Sequence, residues 1–171
     1  GIWGAISFGA FGAYLYFKTH KTSLSFAQLL DCLAPGVVLA QAIGRVGNYF
    51  NQELFGRPTS LPWGLEIATE NRPTEFTQFE TFHPTFLYEA LACVAIGFLI
   101  IWTDKRYVMG HGRVFGLYAA LYCSARGLIE TIRIDQANLI AGLRINVWVS
   151  AIVATLALIN YLRLGRRSAR I

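Results

Sequence analysis

Five apolar runs, separated by polar stretches, organise this sequence. They cover residues 1–17, 24–43, 83–102, 114–132 and 145–162. A helix that crosses a bilayer needs about 20 mostly apolar residues, and each run is close to that length. The pattern therefore predicts an all-α integral membrane protein with about five transmembrane helices. Pro35 lies inside the second run and predicts a kink in that helix.

The composition agrees with a membrane protein. Of the 171 residues, 54% are hydrophobic and 15% are charged, whereas soluble domains carry about 25% charged residues. The chain starts at Gly1, which already lies inside an apolar run. We therefore expect residues 1–171 to be a single membrane-embedded domain, as a fragment that lacks N-terminal helices.

The polar stretches predict an orientation. Residues 44–82 include five glutamates and form a long polar excursion, with short strands or helices that the pattern does not place. With five spans, the basic residues fall on the opposite side: Lys18, Lys21, Lys105, Arg106, Arg113 and the tail 163–171. Because basic loops favour the cytoplasm, the excursion should be extracytoplasmic. Contact with anionic membrane lipids explains the net charge of +5, and no nucleic acid is needed.

Cysteine and histidine do not indicate a metal site. Cys32, Cys93 and Cys123 stand alone in apolar stretches without a CxxC spacing, which is typical of small buried residues. The three histidines are equally scattered, at positions 20, 83 and 111.

Charged residues inside the apolar runs are the first candidates for a functional site. Ionisable groups in a membrane are unfavourable and usually line an interior or a watery cavity. They are Asp31, Glu89, Arg126 and Glu130, with Arg45 at a membrane boundary. Tyr122, Arg126 and Glu130 are spaced four residues apart and share one helix face. A structural Arg–Glu pair that only fixes helix packing is the alternative.

Residues 44–57, GRVGNYFNQELFGR, are the second candidate. Glycine permits left-handed backbone and close approach, and exposed N–H groups with arginine suit a phosphate. A polar turn with helix caps would explain the glycine and asparagine, but not Arg45 at the membrane edge.

Residues 83–89, HPTFLYE, are the third candidate. Pro84 and Thr85 suit a helix start, which puts His83 at the outer surface and Glu89 about two turns inside. His83 is then a candidate proton acceptor, with helix capping as the alternative.

At these residues the sequence resembles the bacterial prolipoprotein diacylglyceryl transferases. Residues 44–56 match the family signature G-R-x-G-N-x-x-N-x-E-x-x-G, and residues 31–35, DCLAP, resemble its D-x-x-A-P. HPTFLYE resembles H-P-[ST]-x-L-Y-E, and residues 122–133 resemble Y-x-x-x-R-x-x-x-E-x-x-R. The four motifs occur in the family's order.

The resemblance implies transfer of the diacylglyceryl group of phosphatidylglycerol to the lipobox cysteine thiol of prolipoproteins, with glycerol phosphate released. It implies a multi-pass protein of the bacterial cell membrane that needs no cofactor or metal. The catalytic residues would be Arg45, Arg126, Glu130 and His83. The substrate-binding residues would be Asp31, Gly44, Asn48, Asn51, Glu53, Gly56, Tyr88, Glu89, Tyr122 and Arg133.

One position departs from the family. The family often carries a histidine in an early glycine-rich stretch, and Trp3 stands at that place here. The identity of the base that deprotonates the thiol therefore stays open.

Two other functions are compatible with the pattern. Intramembrane Asp, Glu and Arg could bind an ion or solute in a transporter or channel subunit, although the internal repeat that transporters often show is missing. A non-catalytic lipid-binding scaffold is the other, and the intact motif residues argue against it.

Overall fold

The computed structural model describes residues 2–20 and 23–168. These form five helices: α1 (Ile2–Thr19), α2 (Phe26–Phe50), α3 (Thr85–Tyr107), α4 (Arg113–Glu130) and α5 (Ile145–Ser168). Each predicted apolar run is therefore a helix. Within the described residues, three helical segments are long and apolar enough to cross a membrane, namely Phe26–Phe50, Thr85–Tyr107 and Ile145–Gly165. The mostly helical fold is confirmed, and its membrane-crossing character is supported for these three.

Local sequence signals set the limits of α2. Ser25 and Gln28 form a reciprocal capping box: Oγ of Ser25 accepts from the Gln28 amide, and Oε1 of Gln28 accepts from the Ser25 amide at 2.7 Å. The helix includes Pro35 and continues to Phe50. Residues 44–50 are thus helical, so the non-helical part of the predicted excursion, residues 44–82, begins at Asn51.

The interior of the bundle is built from small and medium apolar side chains. Ala34, Val38 and Ala42 follow each other at four-residue spacing on α2 and are buried. They pack with Cys93, Ile96 and Ile100 of α3 and with Val114 and Tyr118 of α4. Small residues let helices approach closely where lipid provides no hydrophobic driving force. Helix α5 packs mainly against α4.

The excursion between α2 and α3 has its own small core. Strands β1 (Leu65–Glu66) and β2 (Thr81–Phe82) pair antiparallel, and two 3₁₀ turns lie between them, at Thr69–Asn71 and Thr74–Phe76. Phe55, Ile67 and Phe82 are buried together beneath this segment. These elements are the short strands and helices that the sequence pattern did not place.

A hairpin joins α4 to α5. Strands β3 (Leu139–Ile140) and β4 (Leu143–Arg144) pair antiparallel. The two residues between them, Ala141 and Gly142, have φ values of 50° and 78°. Two successive left-handed residues match the tightest hairpin turns, so Arg144 is folded back towards the end of α4.

Different segments of the chain meet at the two ends of the helical bundle. At one end, the Gly56 amide donates to the His83 carbonyl at 2.9 Å and the Arg57 amide donates to the Ile132 carbonyl at 2.9 Å, which joins the segments after α2, before α3 and after α4. At the other end, the Arg113 guanidinium lies 5.2 Å from the Tyr161 ring centre, so the start of α4 meets the end of α5.

Candidate functional site

Four ionisable residues from three helices form one cluster. Glu89 of α3 bridges two arginines: Arg45 Nε of α2 lies 2.5 Å from its Oε2, and Arg126 of α4 contacts its Oε1. Arg126 also lies 2.8 Å from Glu130 Oε2, one turn along α4. Glu89 and Glu130 are buried, whereas the side chains of Arg45 and Arg126 keep 22% and 19% exposure. The arginines are thus the members that a ligand can reach.

The cluster continues towards the hairpin through more ion pairs. Arg144 Nε donates to Glu130 Oε1 at 2.8 Å, and its Nη2 donates to Asp135 Oδ2 at 2.8 Å. Arg133 Nε donates to Asp135 Oδ1 at 2.7 Å. Together the network holds four arginines and three carboxylates, which leaves one positive charge. An excess of positive charge in a largely desolvated network favours an anionic ligand.

The sequence did not indicate that Arg144 and Asn146 belong to the site. Asn146 Nδ2 donates to Glu130 Oε1 at 3.0 Å, beside the Arg144 contact. Both residues lie in or next to a turn that the sequence pattern described only as polar. Their position at the start of an apolar run, Arg144 just before it and Asn146 within its first turn, was the available signal, because polar side chains there can face back into the bundle.

Asp135 is held as a carboxylate by its neighbours. Burial alone would raise its pKa, but the hydrogen bond and charge of Arg133, with the charge and hydrogen bond of Arg144, outweigh burial and lower the pKa below its ordinary value. A lowered pKa means that the folded state binds protons less readily than the unfolded chain. The stability that Asp135 contributes is therefore present above about pH 4, the ordinary aspartate pKa, and is lost as the pH falls further.

Asp135→Asn should remove this acid-sensitive contribution. We expect a lower melting temperature than the wild type at neutral pH, and a smaller further fall between about pH 5 and pH 3. Thermal unfolding of the detergent-purified protein measures both effects. Glu75→Gln, a change at an exposed glutamate of the excursion, is the matched control and should follow the wild type. Parallel acid profiles for wild type and Asp135→Asn would contradict the assignment.

Two tyrosines of α4 border the arginine cluster. Arg45 Nη2 donates to the Tyr122 hydroxyl at 3.4 Å, and the Tyr118 hydroxyl donates to Gln41 Oε1 at 3.1 Å. The two rings stack at 5.9 Å. A small cleft between α3 and α4 opens beside them, with room for one water-sized group. Its lining is Glu89, Ala92, Cys93, Tyr122, Ala125, Arg126 and Ile129.

The motif of residues 44–57 is divided between helix and loop. Gly44, Arg45 and Asn48 lie on the last turns of α2. A Cβ at Gly44 or Gly47 would meet nothing within 4 Å, and neither residue has a positive φ. The expected left-handed glycines are therefore absent at these two positions, which instead leave an open strip beside Arg45.

The loop after α2 carries the other motif residues. Asn51 Nδ2 donates to Glu53 Oε1 at 3.1 Å, and the Glu53 amide donates to the Asn48 carbonyl. Gln52 and Leu54 have φ values of 48° and 58°. An open cavity of about 360 Å³ lies over this loop. Its lining is Asn51, Gln52, Glu53, Leu54, Phe55, Asn71, Pro73, Ile134 and Asp135.

His83 lies just before α3, which begins at Thr85 as the Pro84–Thr85 pair predicted. Its Nδ1 lies 3.1 Å from the Tyr88 hydroxyl, which also accepts from Trp63 Nε1 at 3.0 Å. Among the described contacts, none joins His83 to Arg45 or Arg126. The structure therefore groups His83 with Tyr88 and Trp63, and its role as proton acceptor remains a prediction.

Asp31 lies far from the arginine cluster. It is 14 positions before Arg45 on α2, which corresponds to roughly 21 Å along a helix. Its two carboxylate oxygens accept from the amides of Gly112 and Phe115, at 2.8 and 2.9 Å. These contacts cap the start of α4, where a negative charge also suits the helix dipole. The substrate-binding role expected for Asp31 has no counterpart in these contacts.

Some sequence-level expectations concern side chains that are not described. Trp3 belongs to α1, but its side chain is outside the described part of the structure, as are Lys21 and Arg170 altogether. Among the residues that are described, no group of His, Cys, Asp or Glu side chains is arranged to hold a metal ion.

Comparison with known proteins gives the family. Residues 1–163 match the family model described as prolipoprotein diacylglyceryl transferase. The chain belongs to this family. The resemblance drawn from the four motifs is thus confirmed, and family membership with the three candidate spans places the chain in the bacterial cytoplasmic membrane.

Curated relatives in the prolipoprotein diacylglyceryl transferase family are similar over nearly the whole chain. A phosphatidylglycerol–prolipoprotein diacylglyceryl transferase of Streptomyces griseus is 51% identical over 160 residues, which covers 93% of this chain and 47% of the relative. Relatives of that name from Cutibacterium acnes and Corynebacterium diphtheriae are 48% and 46% identical over 98% of this chain, and 56% and 63% of their own lengths are covered. The chain spans about half the length of the curated relatives it matches.

Proposed function

We propose that this chain carries the catalytic centre of a phosphatidylglycerol–prolipoprotein diacylglyceryl transferase. The observation that supports this most directly is the pair Arg45 and Arg126, which come from two helices and share the carboxylate of Glu89. Both guanidinium groups are partly accessible, in a network with one excess positive charge. Such a pair fits the phosphodiester of a lipid that approaches from within the membrane.

The charge changes of the reaction fit that arrangement. The lipobox thiolate attacks the glyceryl carbon that bears the phosphate, so a C–S bond forms and the C–O bond to phosphate breaks. The thiol proton leaves to a base, and glycerol phosphate departs with the electron pair of the broken bond. The phosphate gains negative charge during this step. Fixed arginines therefore stabilise the transition state more than the bound lipid, which is the condition for catalysis.

The other motif residues have supporting roles in this proposal. Tyr122 and Glu89 hold Arg45, whereas Glu130 holds Arg126. Asn48 lies on the last turn of α2, and Asn51 and Glu53 follow it in the loop. In this proposal they contact the glycerol head group or the lipobox segment. His83 with Tyr88 is a candidate for accepting the thiol proton.

The test is a transfer assay on membranes that contain the protein. Phosphatidylglycerol and a lipobox peptide are added, and a change in peptide mobility reports attachment of the diacylglyceryl group. A lipobox peptide with serine in place of cysteine is the control. Uptake of a solute without any peptide shift would instead support the transporter reading and overturn the transferase.

We also propose an orientation for the membrane helices. The excursion 51–84 and the hairpin 131–144 lie at one end of the bundle, while Lys18, Lys105 and Arg113 lie at the other. The basic end should face the cytoplasm. In this arrangement α1 and α4 cross the membrane together with the three candidate spans, which gives five spans and an extracytoplasmic excursion.

Single cysteine reporters test the orientation. In a background without Cys32, Cys93 and Cys123, a cysteine at Thr69 should react with an impermeant thiol reagent added to intact cells, and one at Ser168 should not. Permeabilised cells, in which both should react, provide the control. Labelling of both positions in intact cells would rule out the five-span arrangement.

A further inference from the structure

Arg144 donates more hydrogen bonds within the protein than the other arginines of the network. Besides Glu130 and Asp135, its Nη1 donates to the carbonyls of Arg133 and Asp135, at 3.0 and 2.9 Å. Its side chain is 12% exposed. Four of the five N–H groups of a guanidinium are thereby engaged. Arg144 is therefore placed to organise other residues rather than to bind a substrate.

Glu130 depends on this arginine for its charge balance. Its carboxylate is fully buried, and a buried carboxylate is strongly unfavourable without a cation and hydrogen bonds. Oε1 accepts from Arg144 and Asn146. Oε2 lies 2.8 Å from Arg126 Nη2 but is not aligned for a hydrogen bond, and Arg133 Nε is 3.8 Å away. Arg144 is thus the cation best aligned on Glu130.

We infer that Arg144 is a positioning residue for Arg126 and that it acts through Glu130. With Arg144 in place, Glu130 is largely neutralised and needs only one edge of the Arg126 guanidinium. Without Arg144, the excess charge of Glu130 would draw Arg126 inward, away from the lipid phosphate. The inference rests on the transfer reaction proposed above, because it assigns Arg126 to the phosphate.

The turn of the hairpin determines this geometry. Ala141 and Gly142 reverse the chain with left-handed backbone, and Leu139 pairs with Arg144 across the hairpin. Asn146 follows in the first turn of α5 and reaches the same oxygen of Glu130. The contact between α4 and α5 and the orientation of Arg126 are therefore coupled at one carboxylate.

A double-mutant cycle tests the inference. The rate constant for transfer and the KM for phosphatidylglycerol are measured per folded molecule for Arg144→Gln, Glu130→Gln and the double variant. In the wild-type background Arg144→Gln should lower kcat about 10- to 100-fold, the equivalent of a charged hydrogen bond, with little change in KM. With glutamine at 130 there is no buried charge to neutralise, so the same change should lower kcat by less than about threefold.

Two further variants keep the test decisive. Arg163→Gln, at the other end of α5, is the matched control and should leave both constants unchanged. If Arg144→Gln does not fold, Asn146→Ala removes the second donor to Glu130 and should lower kcat about three- to tenfold, again only when residue 130 is glutamate.

The outcomes separate the two proposals. An inactive wild-type protein would overturn the transferase proposal and this inference with it. An active wild type in which Arg144→Gln lowers kcat equally in both backgrounds would overturn the inference alone, because Arg144 would then act only by folding the hairpin. Normal kcat in Arg144→Gln would also overturn it.

Discussion

Arg126→Lys is expected to lower transfer about 100- to 1000-fold per folded molecule, the loss typical of one preorganised donor at a site that stabilises developing negative charge. Arg126 lies between two carboxylates, with Nη1 towards Glu89 and Nη2 towards Glu130. A planar guanidinium can hold both partners and still present its remaining N–H groups to a phosphate. A lysine ammonium keeps the charge but cannot hold the two carboxylates in the same geometry.

The competing explanation is that Arg126 only holds α3 and α4 together. That explanation predicts less protein in detergent extracts and unchanged activity per folded molecule. Transfer rate must therefore be divided by the amount of monodisperse protein. Arg163→Lys is the matched conservative control, since Arg163 lies at the opposite end of the bundle on α5.

Glu130→Gln should do less harm than Arg126→Lys, because an amide oxygen can still accept the hydrogen bond from Arg144 while the Arg126 guanidinium is unchanged. Near-normal specific activity in Arg126→Lys would remove Arg126 from the catalytic site and leave Arg45 as the main phosphate ligand. A loss of activity in Arg126→Lys with normal protein levels would favour the arrangement in which both arginines bind the phosphate.

Sequence periodicity predicted the parts of the site that lie on one helix. The four-residue spacing of Tyr122, Arg126 and Glu130 correctly placed them on one face of α4, because helix geometry fixes such neighbours locally. The start of α3 was also predicted from the sequence, since Pro84 followed by Thr85 is typical of a helix N-terminus. Both inferences needed only short stretches of sequence.

The contacts between helices could not be read in the same way. Glu89 and Arg126 are 37 positions apart, and Asp31 and Phe115 are 84 positions apart. Whether a carboxylate in an apolar run meets an arginine or caps a helix depends on which helices pack together. Periodicity within one helix does not contain that information. Asp31 and Glu89 looked alike in the sequence, yet one caps α4 and the other bridges two arginines.

The end of α2 shows how a functional motif can mislead a local interpretation. Glycine and asparagine in residues 44–51 are typical of turns, but α2 continues to Phe50. Helix propensity is a weak local preference that tertiary contacts often override, and Arg45 on this turn is held by Glu89 of α3. The glycines at 44 and 47 therefore lie on an open helix surface and not in a turn.

Gly56 lies where the packing leaves no room for a side chain. A Cβ at this residue would lie 2.8 Å from His83 Cβ, 3.1 Å from the Ile132 carbonyl oxygen and 3.1 Å from Thr85 Cγ2. The Gly56 amide donates to the His83 carbonyl, and the backbone of Gly56 forms an isolated antiparallel β-bridge with that of Arg133. The segments before α3 and after α4 thus approach each other across Gly56 with no room for a methyl group.

Gly56→Ala should therefore destabilise the protein by about 1–3 kcal/mol, the usual effect of an added methyl group in a packed site. Activity per folded molecule should fall as well, because displacing Arg133 and Ile132 moves the end of α4, where Glu130 orients Arg126. Melting temperature and transfer rate of purified protein measure the two effects. Gly47→Ala is the matched control: its Cβ meets nothing within 4 Å, and alanine favours a helix by about 1 kcal/mol. Gly47→Ala should keep or raise the melting temperature. Equal stability of the two variants would show that the junction at Gly56 can open without strain, and the role of Gly56 would then have to be sought in contact with substrate.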